Sequence, residues 1–487
     1  MIYTMCVPTA LAPVLFGVPA TGIFAIYGAI SLFFVLFFAT QGFSQRKIRF
    51  GGLTIAFFFA TTLCILGGQG GLLYSNPDWL WRNAVLRDLA AGPWPVVYSW
   101  QSESLLLRAP LGMYIIPALA AHVIGASGAQ FLLATQNIII FTLIFYFVAG
   151  NILGVRNMFV VVLVFCLFSG WDIVGMKLGF SARDTTIPED HIEAWARYFQ
   201  YSSMVTQIFW VPNHAAPAWA FACVYMMWCR SEVRIGLLLA LVPLFAFWSP
   251  LSAIGTLPFA FYAGLKSLKV QRFTFGDAII TAIAGAISLP ALYYQQLGAT
   301  QIDHGFTYNL PYFWLFYAVF LILELLPLLV LIAYLDRRAA NDPTLMIAIF
   351  ILVLIPLYRL GGANDFAMRS SIPALAIMAI IAGSASVRFC EQGVFRVRMI
   401  LPLVVLSIGS ITGLIEIRRS LVREPVAEAK CNLIQVWQME RPKGSIADYA
   451  VSLAVVPTWM LPSPVATQST ATSSSCGRHQ GNGSDSR

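Results

Sequence analysis

The sequence predicts an all-α fold, a polytopic bundle of transmembrane helices. Hydrophobic residues make up 59% of the 487 residues and charged residues only 11%, whereas soluble globular proteins carry about 25% charged residues. The mean hydropathy is +0.75, and apolar runs of about 20 residues, the length that crosses a bilayer core, recur along most of the chain. The sequence therefore predicts a membrane protein with one transmembrane domain, residues 1–461.

The apolar runs predict about twelve spans, and the first nineteen residues add a thirteenth span or a re-entrant turn. Several runs are short or contain proline, which a membrane bundle accepts where neighbouring helices satisfy the freed backbone groups. Residues 462–487 are rich in Ser, Thr and Gly and are predicted to form a disordered tail. The predicted spans are 22–40, 50–68, 131–150, 158–170, 204–228, 235–249, 252–267, 275–296, 311–335, 343–360, 372–388 and 399–415.

Lys and Arg cluster in short connections between these spans, such as QRKIR at 45–49 and KSLKVQR at 266–272. The clear basic connections all fall on one side of the membrane if the apolar piece Leu111–Gly125 lies in the outer interface instead of spanning. The positive-inside rule makes that side cytoplasmic. The net charge of +8 is explained by this orientation, so a nucleic-acid partner is not expected.

This orientation predicts a multi-pass protein of the inner (plasma) membrane whose longest outer loops cover about 69–130 and 171–203. One basic stretch, EIRRSLVREP after the last span, falls outside against the rule. The eight cysteines show no CxxC or CxxH spacing and predict neither a zinc site nor a disulfide scaffold. No GxxxxGK[ST] loop is present, which argues against a nucleotide-driven pump.

The first outer loop contains an unusually polar stretch, YSNPDWLWRNAVLRDLAAGPWPVVY. Asn76, Pro77 and Asp78 predict a helix start, and Gly92 with the following proline predicts its end. Asp78 and Arg82 are four residues apart and so share one side of that helix. Either Asp78 complements the helix dipole and pairs with Arg82, or it serves as a general base for a sugar hydroxyl at the membrane boundary.

A second acid, Asp172 in FSGWDIVG, begins the second long outer loop. Two acids that converge from separate loops can share a divalent cation such as Mg²⁺ or Mn²⁺, or divide the work between a base and a phosphate-bound metal. Asp78 and Asp172 are therefore the candidate catalytic residues and the candidate metal ligands. The alternative is that Asp172 caps a turn after Gly170.

This arrangement resembles the polyprenyl-phosphate-dependent C-type glycosyltransferases, the GT-C fold, over roughly residues 50–390. Those membrane enzymes have an acid in a first outer loop built from interfacial helices and a further acid in the second. The matching pieces are NPDWLWRN, the interfacial piece 111–125, the connection NILGVRN and GWDIVG. The chain also resembles uncharacterised bacterial polytopic membrane proteins through YSSMVTQIFWVPNHAAPAW, WSPLSAIG and NDFAMRSSIPAL.

The chain departs from the oligosaccharyltransferase members of that family. It has no DxD in the first loop and no WWDYG block, and its C-terminal region is too short for their large soluble domain. The resemblance therefore implies a sugar transferred from a polyprenyl-phosphate donor to a glycan or lipid acceptor.

Such a donor needs cationic groups for its phosphate. One candidate is Arg369, which Asp365, four residues earlier, is placed to hold. Arg82 is the second candidate. Alternatively, Arg369 is a snorkelling arginine whose charged group lies at the membrane interface. Trp79 and Trp81 are candidate sugar-stacking residues, although indoles are also common at bilayer interfaces.

Two further polar residues occur inside predicted spans. His214, at a proline break, either binds substrate or is a hydrogen-bonded structural histidine. Glu324 lies near the middle of a span, where a carboxyl group usually faces the bundle interior; it either bonds a neighbouring helix or marks a proton or substrate pathway. The second possibility favours a glycolipid or polysaccharide transporter or flippase over a glycosyltransferase. A non-catalytic subunit of an envelope-polysaccharide assembly complex is a third hypothesis.

Overall fold

The fold is described by a computed structural model that covers residues 1–16, 48–125, 128–150, 154–179, 191–196, 198–361, 364–392, 396–425, 431–440 and 446–461. The predicted span 22–40 and the predicted tail 462–487 lie outside the described residues. The protein is mostly helical, with 73% helix.

The helices follow the apolar runs of the sequence, and several begin or break at proline, which has no backbone N–H to donate. They are α1 Ile2–Leu11, α2 Phe50–Leu66, α3 Asp78–Ala91, α4 Ile115–Ile124, α5 Ala129–Ala149, α6 Val155–Leu167, α7 Asp172–Lys177, α8 Met204–Trp210, α9 Pro212–Cys229, α10 Ile235–Ala246, α11 Pro250–Lys269, α12 Phe275–Gln296, α13 Phe313–Glu324, α14 Leu326–Leu335, α15 Arg337–Ala340, α16 Pro343–Leu354, α17 Asp365–Ser370, α18 Ile372–Glu391, α19 Ile400–Val422 and α20 Leu433–Glu440.

Within the described ranges, six helical segments are long and apolar enough to cross a membrane. This supports a membrane-embedded helical protein, although with fewer full-length spans than predicted, because several predicted spans form apolar helices of only 10–17 residues. The six segments are Ala129–Ala149, Val155–Lys177, Phe275–Gln296, Phe313–Leu335, Asp365–Glu391 and Val397–Val422.

Three predicted spans contain breaks that the apolar pattern does not reveal. The run 204–228 divides at Val211, directly before Pro212, into α8 and α9. The run 158–170 continues past an irregular turn into α7, and the run 311–335 divides at Leu325 into α13 and α14. Each break frees backbone groups for other partners, and polar side chains gather near all three.

The basic connections contact one another at one end of the bundle, which we call the basic end. Arg388 pairs with Asp336 at 2.8 Å, joining the connection before α15 to the end of α18. Arg272 donates to the Ser231 hydroxyl at 3.0 Å, joining the connections after α11 and α9. Asn157 reaches the Glu391 carboxyl at 2.9 Å. The opposite end, the loop end, carries the remaining connections.

The chain is not purely α-helical, because the loop end contains two small antiparallel sheets. One has the order β1 (Val97–Trp100), β2 (Glu103–Leu107) and β5 (Ala450–Ser452), with Leu106 opposite Val451. The other pairs β3 (His304–Phe306) with β4 (Tyr358–Leu360). The first sheet joins the first long loop to the C-terminal segment.

Cys431 is disulfide-bonded, although the cysteine spacing predicts no disulfide scaffold. Six other described cysteines are free thiols, and most of these are buried as small apolar side chains. Disulfides persist in oxidising compartments. Cys431 follows α19 at the loop end.

Candidate functional site

The polar stretch of the first long loop forms α3, close to the predicted bounds. The helix begins at Asp78 with Pro77 at the cap position, one residue later than predicted, so Asn76 is not the cap; its side-chain oxygen accepts the backbone N–H of Asp78 at 3.1 Å, and Gly92 follows the last helical residue as predicted. The Asn76 amide and the Trp79 indole N–H both donate to the carbonyl oxygen of Phe209, at 2.7 and 2.8 Å. That carbonyl is available because α8 ends at the break before Pro212.

Asp78 and Arg82 lie on the same side of α3 and form an ion pair at 3.3 Å, as their spacing predicts. The Asp78 side chain is 38% exposed, whereas that of Arg82 is 9% exposed. The acid can therefore meet a ligand from solvent while the guanidinium stays within the protein. Arg82 also lies over the Trp79 ring, 5.8 Å from its centroid.

Arg369, the other predicted phosphate ligand, lies on α17. It pairs with Asp365 at 2.9 Å, and its buried Nε has no hydrogen-bond partner among the described residues. Asn364 starts α17 in a left-handed conformation and accepts the Ala367 N–H at 3.4 Å. The guanidinium thus retains a donor for an anion after Asp365 is satisfied.

His214 and the start of α11 connect α9 to α17. The Nδ1 atom of His214 lies 2.6 Å from the Ser249 hydroxyl, and its Nε2 atom lies 3.2 Å from the Asn213 amide. The Ser252 hydroxyl donates toward the carbonyl oxygens of both His214 and Arg369, at 3.1 and 3.3 Å. The His214 ring is fully engaged, so its contacts favour the structural alternative for this residue.

The pairs Asp78–Arg82 and Asp365–Arg369 both act electrostatically on the phenol of Tyr449. Burial is the main reason why the pKa of the Tyr449 phenol is raised. The carboxylates of Asp78 and Asp365 also raise this pKa, whereas the guanidinium groups of Arg82 and Arg369 lower it. We call these five residues the arginine site. Sequence reasoning missed Tyr449, because it is far from the other four along the chain and no motif marks it.

Trp79 and Trp81 lie beside the arginine site but are packed within the protein. Trp79 is 2% exposed and bonded to Phe209. Trp81 packs against Trp437 at a centroid distance of 5.1 Å and stacks on Tyr449 at 6.0 Å. Their faces are not open to a sugar ring, so the predicted stacking role does not fit this structure.

Asp172 and Glu324 meet in a different place. The Trp195 indole N–H is 3.1 Å from Asp172 and 3.0 Å from Glu324, so the two carboxyl groups share one donor. The Thr412 hydroxyl donates to the other Asp172 oxygen at 2.8 Å. Both acids are only 1% exposed. Glu324 faces the bundle interior, as an intramembrane carboxyl group is expected to do.

Further titratable groups from the second long loop and α19 lie near this pair. His191 contacts Glu416 at 3.0 Å and Glu193 at 3.7 Å, and Arg419 pairs with Glu416 at 3.1 Å. Burial lowers the pKa of His191, but the two neighbouring carboxylates outweigh it and raise that pKa above its ordinary value. Burial raises the pKa of Glu193 to about 7. We call Asp172, Glu193, Glu324, Glu416 and His191 the carboxyl cluster.

The predicted convergence of Asp78 and Asp172 is not observed: among the described residues, the two acids share no hydrogen-bond partner. Neighbouring residues of α8 connect the two regions: the Phe209 carbonyl accepts from Asn76, close to Asp78 in the chain, and Trp210 donates to Glu416 of the carboxyl cluster at 2.9 Å. Asp78 is ion-paired and Asp172 is enclosed by protein donors, so the pair as placed does not fit a shared cation. Within the described ranges, no group of three or more His, Cys, Asp or Glu side chains is arranged to hold a metal.

A buried acid joins α3 to the C-terminal segment and predicts a pH dependence. Asp88 accepts the Tyr98 hydroxyl at 2.6 Å and the Leu433 N–H at 2.9 Å, and burial raises its pKa to about 7. Between about pH 4 and 7 the Asp88 carboxyl group is therefore protonated in the folded chain but ionised in the unfolded chain. We expect the free energy of unfolding to fall as pH rises through this window, by up to about 1.4 kcal/mol per unit, and then to level off.

Thermal unfolding of the detergent-solubilised protein between pH 4 and 8 measures this effect. Asp88→Asn, which does not titrate, should have a smaller pH slope than the wild type. Since the other titratable groups are shared by the two proteins, equal slopes would show that Asp88 does not contribute.

The chain matches no protein-family model, no curated protein and no solved structure in the comparisons with known proteins. The arrangement of the site itself therefore carries the functional argument.

Proposed function

We propose that this chain is an integral membrane glycosyltransferase that moves a sugar from a polyprenyl-phosphate donor to a glycan or lipid acceptor on the outer face of the membrane. The observation that carries the proposal is the arginine site. The carboxylate of Asp78 on α3 is partly exposed beside Arg82, the guanidinium of Arg369 on α17 keeps an unused donor beside Asp365, and both pairs act electrostatically on the Tyr449 phenol. Acid–base chemistry and phosphate recognition need these two kinds of group side by side.

In this proposal, Asp78 removes the proton from the acceptor hydroxyl as that oxygen bonds to the anomeric carbon of the sugar. The bond between that carbon and the phosphate oxygen breaks, and the polyprenyl phosphate leaves with the bonding electron pair. Arg369 and Arg82 stabilise the charge that develops on the phosphate. A single displacement of this kind inverts the configuration at the anomeric carbon. No step requires a metal ion.

The charge distribution supports the orientation that this reaction needs. The basic end carries the arginine-rich connections, which the positive-inside rule assigns to the cytoplasm. The arginine site is at the loop end, together with the disulfide-bonded Cys431. We therefore propose a multi-pass protein of the inner membrane whose site faces outward, where lipid-linked sugars are used.

The direct test supplies the purified, lipid-reconstituted protein with polyprenyl-phosphate sugars and a mixture of glycan and lipid acceptors. Transfer of radiolabelled sugar from the donor to an acceptor, with release of polyprenyl phosphate, is the expected result. An intact protein that neither binds nor consumes any donor in a panel of common hexose and pentose carriers would refute the proposal.

The carboxyl cluster favours a second candidate, a transporter or flippase for a glycolipid or polysaccharide. Buried ionisable groups within membrane spans often line a proton or substrate pathway, and Asp172 and Glu324 share a single indole donor. For a transporter, Glu324→Gln should abolish movement of a fluorescent glycolipid across vesicle membranes while Asp78→Asn leaves it intact. For a glycosyltransferase, Asp78→Asn should instead be the inactive variant.

A further inference from the structure

Two broken helices interlock at the carboxyl cluster. Pro327 in the first turn of α14 has no backbone N–H, so the carbonyl oxygen of Leu323, four residues earlier, lacks its usual helical donor. The backbone N–H of Trp171, in the irregular turn between α6 and α7, donates to that oxygen at 3.0 Å. Each break therefore supplies what the other lacks, and Asp172 at the start of α7 is held beside Glu324 at the end of α13.

Glu324 has one oxygen without a donor. Its Oε1 atom accepts the Trp195 indole N–H, whereas Oε2 has no hydrogen-bond partner among the described residues. A methyl group at Gly170 would overlap Oε2, so this oxygen lies directly against the backbone of the turn. Because Glu324 is only 1% exposed, an ionised carboxylate here would have an oxygen with neither solvent nor a protein donor, which costs free energy. A proton on this carboxyl group removes that charge.

Asp172 and Glu324, which we call the acid pair, receive hydrogen bonds only from neutral groups in the described part of the chain. The Trp195 nitrogen lies 3.1 Å from one acid and 3.0 Å from the other, and the Thr412 hydroxyl donates to Asp172 at 2.8 Å. Tyr201 packs against α13, but its hydroxyl donates to a backbone carbonyl of α16. Two negative charges this close in the protein interior would repel strongly, and one proton shared between them relieves the repulsion.

The basic groups near the acid pair are engaged by other acids. His191 contacts Glu416 at 3.0 Å and Glu193 at 3.7 Å, and Arg419 pairs with Glu416 at 3.1 Å. Within the described ranges, no basic side chain forms an ion pair with either member of the acid pair. A positive charge from elsewhere, of which a proton is the smallest, is therefore needed to balance the two acids.

A small cavity adjoins the acid pair. Its volume is about 20 Å³, enough for one water molecule. Three serines line it: Ser169, Ser203 and Ser410. Ser169 directly precedes Gly170, and its buried hydroxyl has no hydrogen-bond partner among the described residues. The backbone N–H of Ser203 donates to Glu193 at 2.8 Å. A water molecule in this cavity would thus lie between the turn that contacts Glu324 and a second acid of the cluster.

His191 connects this interior to the loop end. Its side chain is 16% exposed, whereas that of Glu193 is 0% exposed. The Gln200 amide lies between them: its nitrogen donates to Glu193 at 2.8 Å and is 3.0 Å from Nε2 of His191. Imidazole takes up and releases protons near neutral pH, so His191 is the member of the cluster placed to exchange a proton with solvent.

We propose that the acid pair is a proton-binding site, in which Asp172 and Glu324 hold one exchangeable proton that reaches them from the loop end through His191, Glu193 and a water molecule in the cavity. Binding forms one O–H bond and needs no other reactant. Loss of the proton leaves two negative charges where α7 and α13 meet and favours separation of the two helix breaks. The inference does not depend on sugar transfer, because no residue of the arginine site takes part.

The test is difference infrared spectroscopy of the lipid-reconstituted protein at about pH 7, which separates the C=O band of a protonated carboxyl group from the bands of a carboxylate. Every sample carries Asp88→Asn, which removes another acid that burial keeps partly protonated at this pH. The test variant is Glu324→Gln, which is similar in size to the parent. The matched control is Glu416→Gln, which removes an acid of the same cluster that two basic side chains hold.

We expect Glu324→Gln to lose one protonated-carboxyl band, and in the parent this band should shift in heavy water as the proton exchanges. Glu416→Gln should lose carboxylate absorption and keep the band. Asp172→Asn should move the band to another frequency, because an amide replaces the carboxyl group that shares the proton. This third variant provides the test if Glu324→Gln does not fold.

Three results would overturn the proposal. The first is a folded Glu324→Gln variant with the same protonated-carboxyl bands as the parent, and the second is a band that Asp172→Asn leaves at its original frequency. The third is a parent without the band whose melting temperature rises with sodium, while that of Glu324→Gln does not, which would assign a metal cation to the site instead of a proton.

Discussion

Asp78→Asn is expected to lower the rate of sugar transfer by about a hundred- to ten-thousand-fold, the usual contribution of a general base. The variant keeps the size of the side chain and an oxygen that can accept a bond from Arg82, but it cannot take the proton of an acceptor hydroxyl. Because the Asp78 side chain is 38% exposed, the fold should tolerate the change. Initial rates with radiolabelled donor, normalised to folded protein, measure the effect.

Asp88→Asn is the matched control, since it removes a carboxyl group from the same helix at a position bonded to Tyr98 and Leu433 and outside the arginine site. It should retain sugar transfer near the wild-type rate at neutral pH. Polyprenyl-phosphate binding by Asp78→Asn should also stay close to normal, because Arg369 and Arg82 remain. Full activity of a folded Asp78→Asn variant would remove this residue from the mechanism.

Gly170→Ala is expected to destabilise the fold severely. A methyl group at this position would lie 2.6 Å from the Glu324 carboxyl carbon and 2.8 Å from its Cα atom, and it would also overlap a carboxyl oxygen. The side chain alone cannot relieve the overlap, because the backbone of α13 is part of it. Overpacking of this kind costs about 1–3 kcal/mol or more. We expect a large loss of folded protein, with a much lower melting temperature in whatever remains.

Gly264→Ala serves as the control, because a methyl group at Gly264 of α11 has no neighbour within 4 Å. Alanine also favours a helix over glycine by up to about 1 kcal/mol, so this variant should be as stable as the wild type or slightly more so. Wild-type stability for Gly170→Ala would contradict the close approach of Gly170 and Glu324 and hence the geometry of the carboxyl cluster.

The features predicted correctly depend on short stretches of chain. The end of α3, its start to within one residue, and the pairing of Asp78 with Arg82 follow from turn residues and from the repeat of the helix, which a few consecutive residues encode. The inward position of Glu324 follows equally from the cost of a carboxyl group in lipid. These parts of the site need no knowledge of what packs against them.

The missed features depend on contacts between distant parts of the chain. Asp172 meets Glu324 because α7 and α13 both lie against Trp195, and no spacing in the sequence encodes that meeting. Tyr449 reaches the arginine site only because β5 pairs with β2. Trp79 and Trp81 resemble interfacial indoles in sequence, and only the packing of Trp437 and Phe209 shows that they are buried.

The pairing of β2 with β5 also sets the order in which the protein can mature during synthesis. Strand β2 leaves the ribosome before most of the helices, whereas β5 is made after α20, so the edge of β2 stays open while the helices between the two strands are made. The first loop stays without its partner strand until then, and Tyr449 can stack on Trp81 only after those helices have been made. Nascent chains stalled before Ala450 should therefore hold the bundle but lack the strand that completes the first sheet.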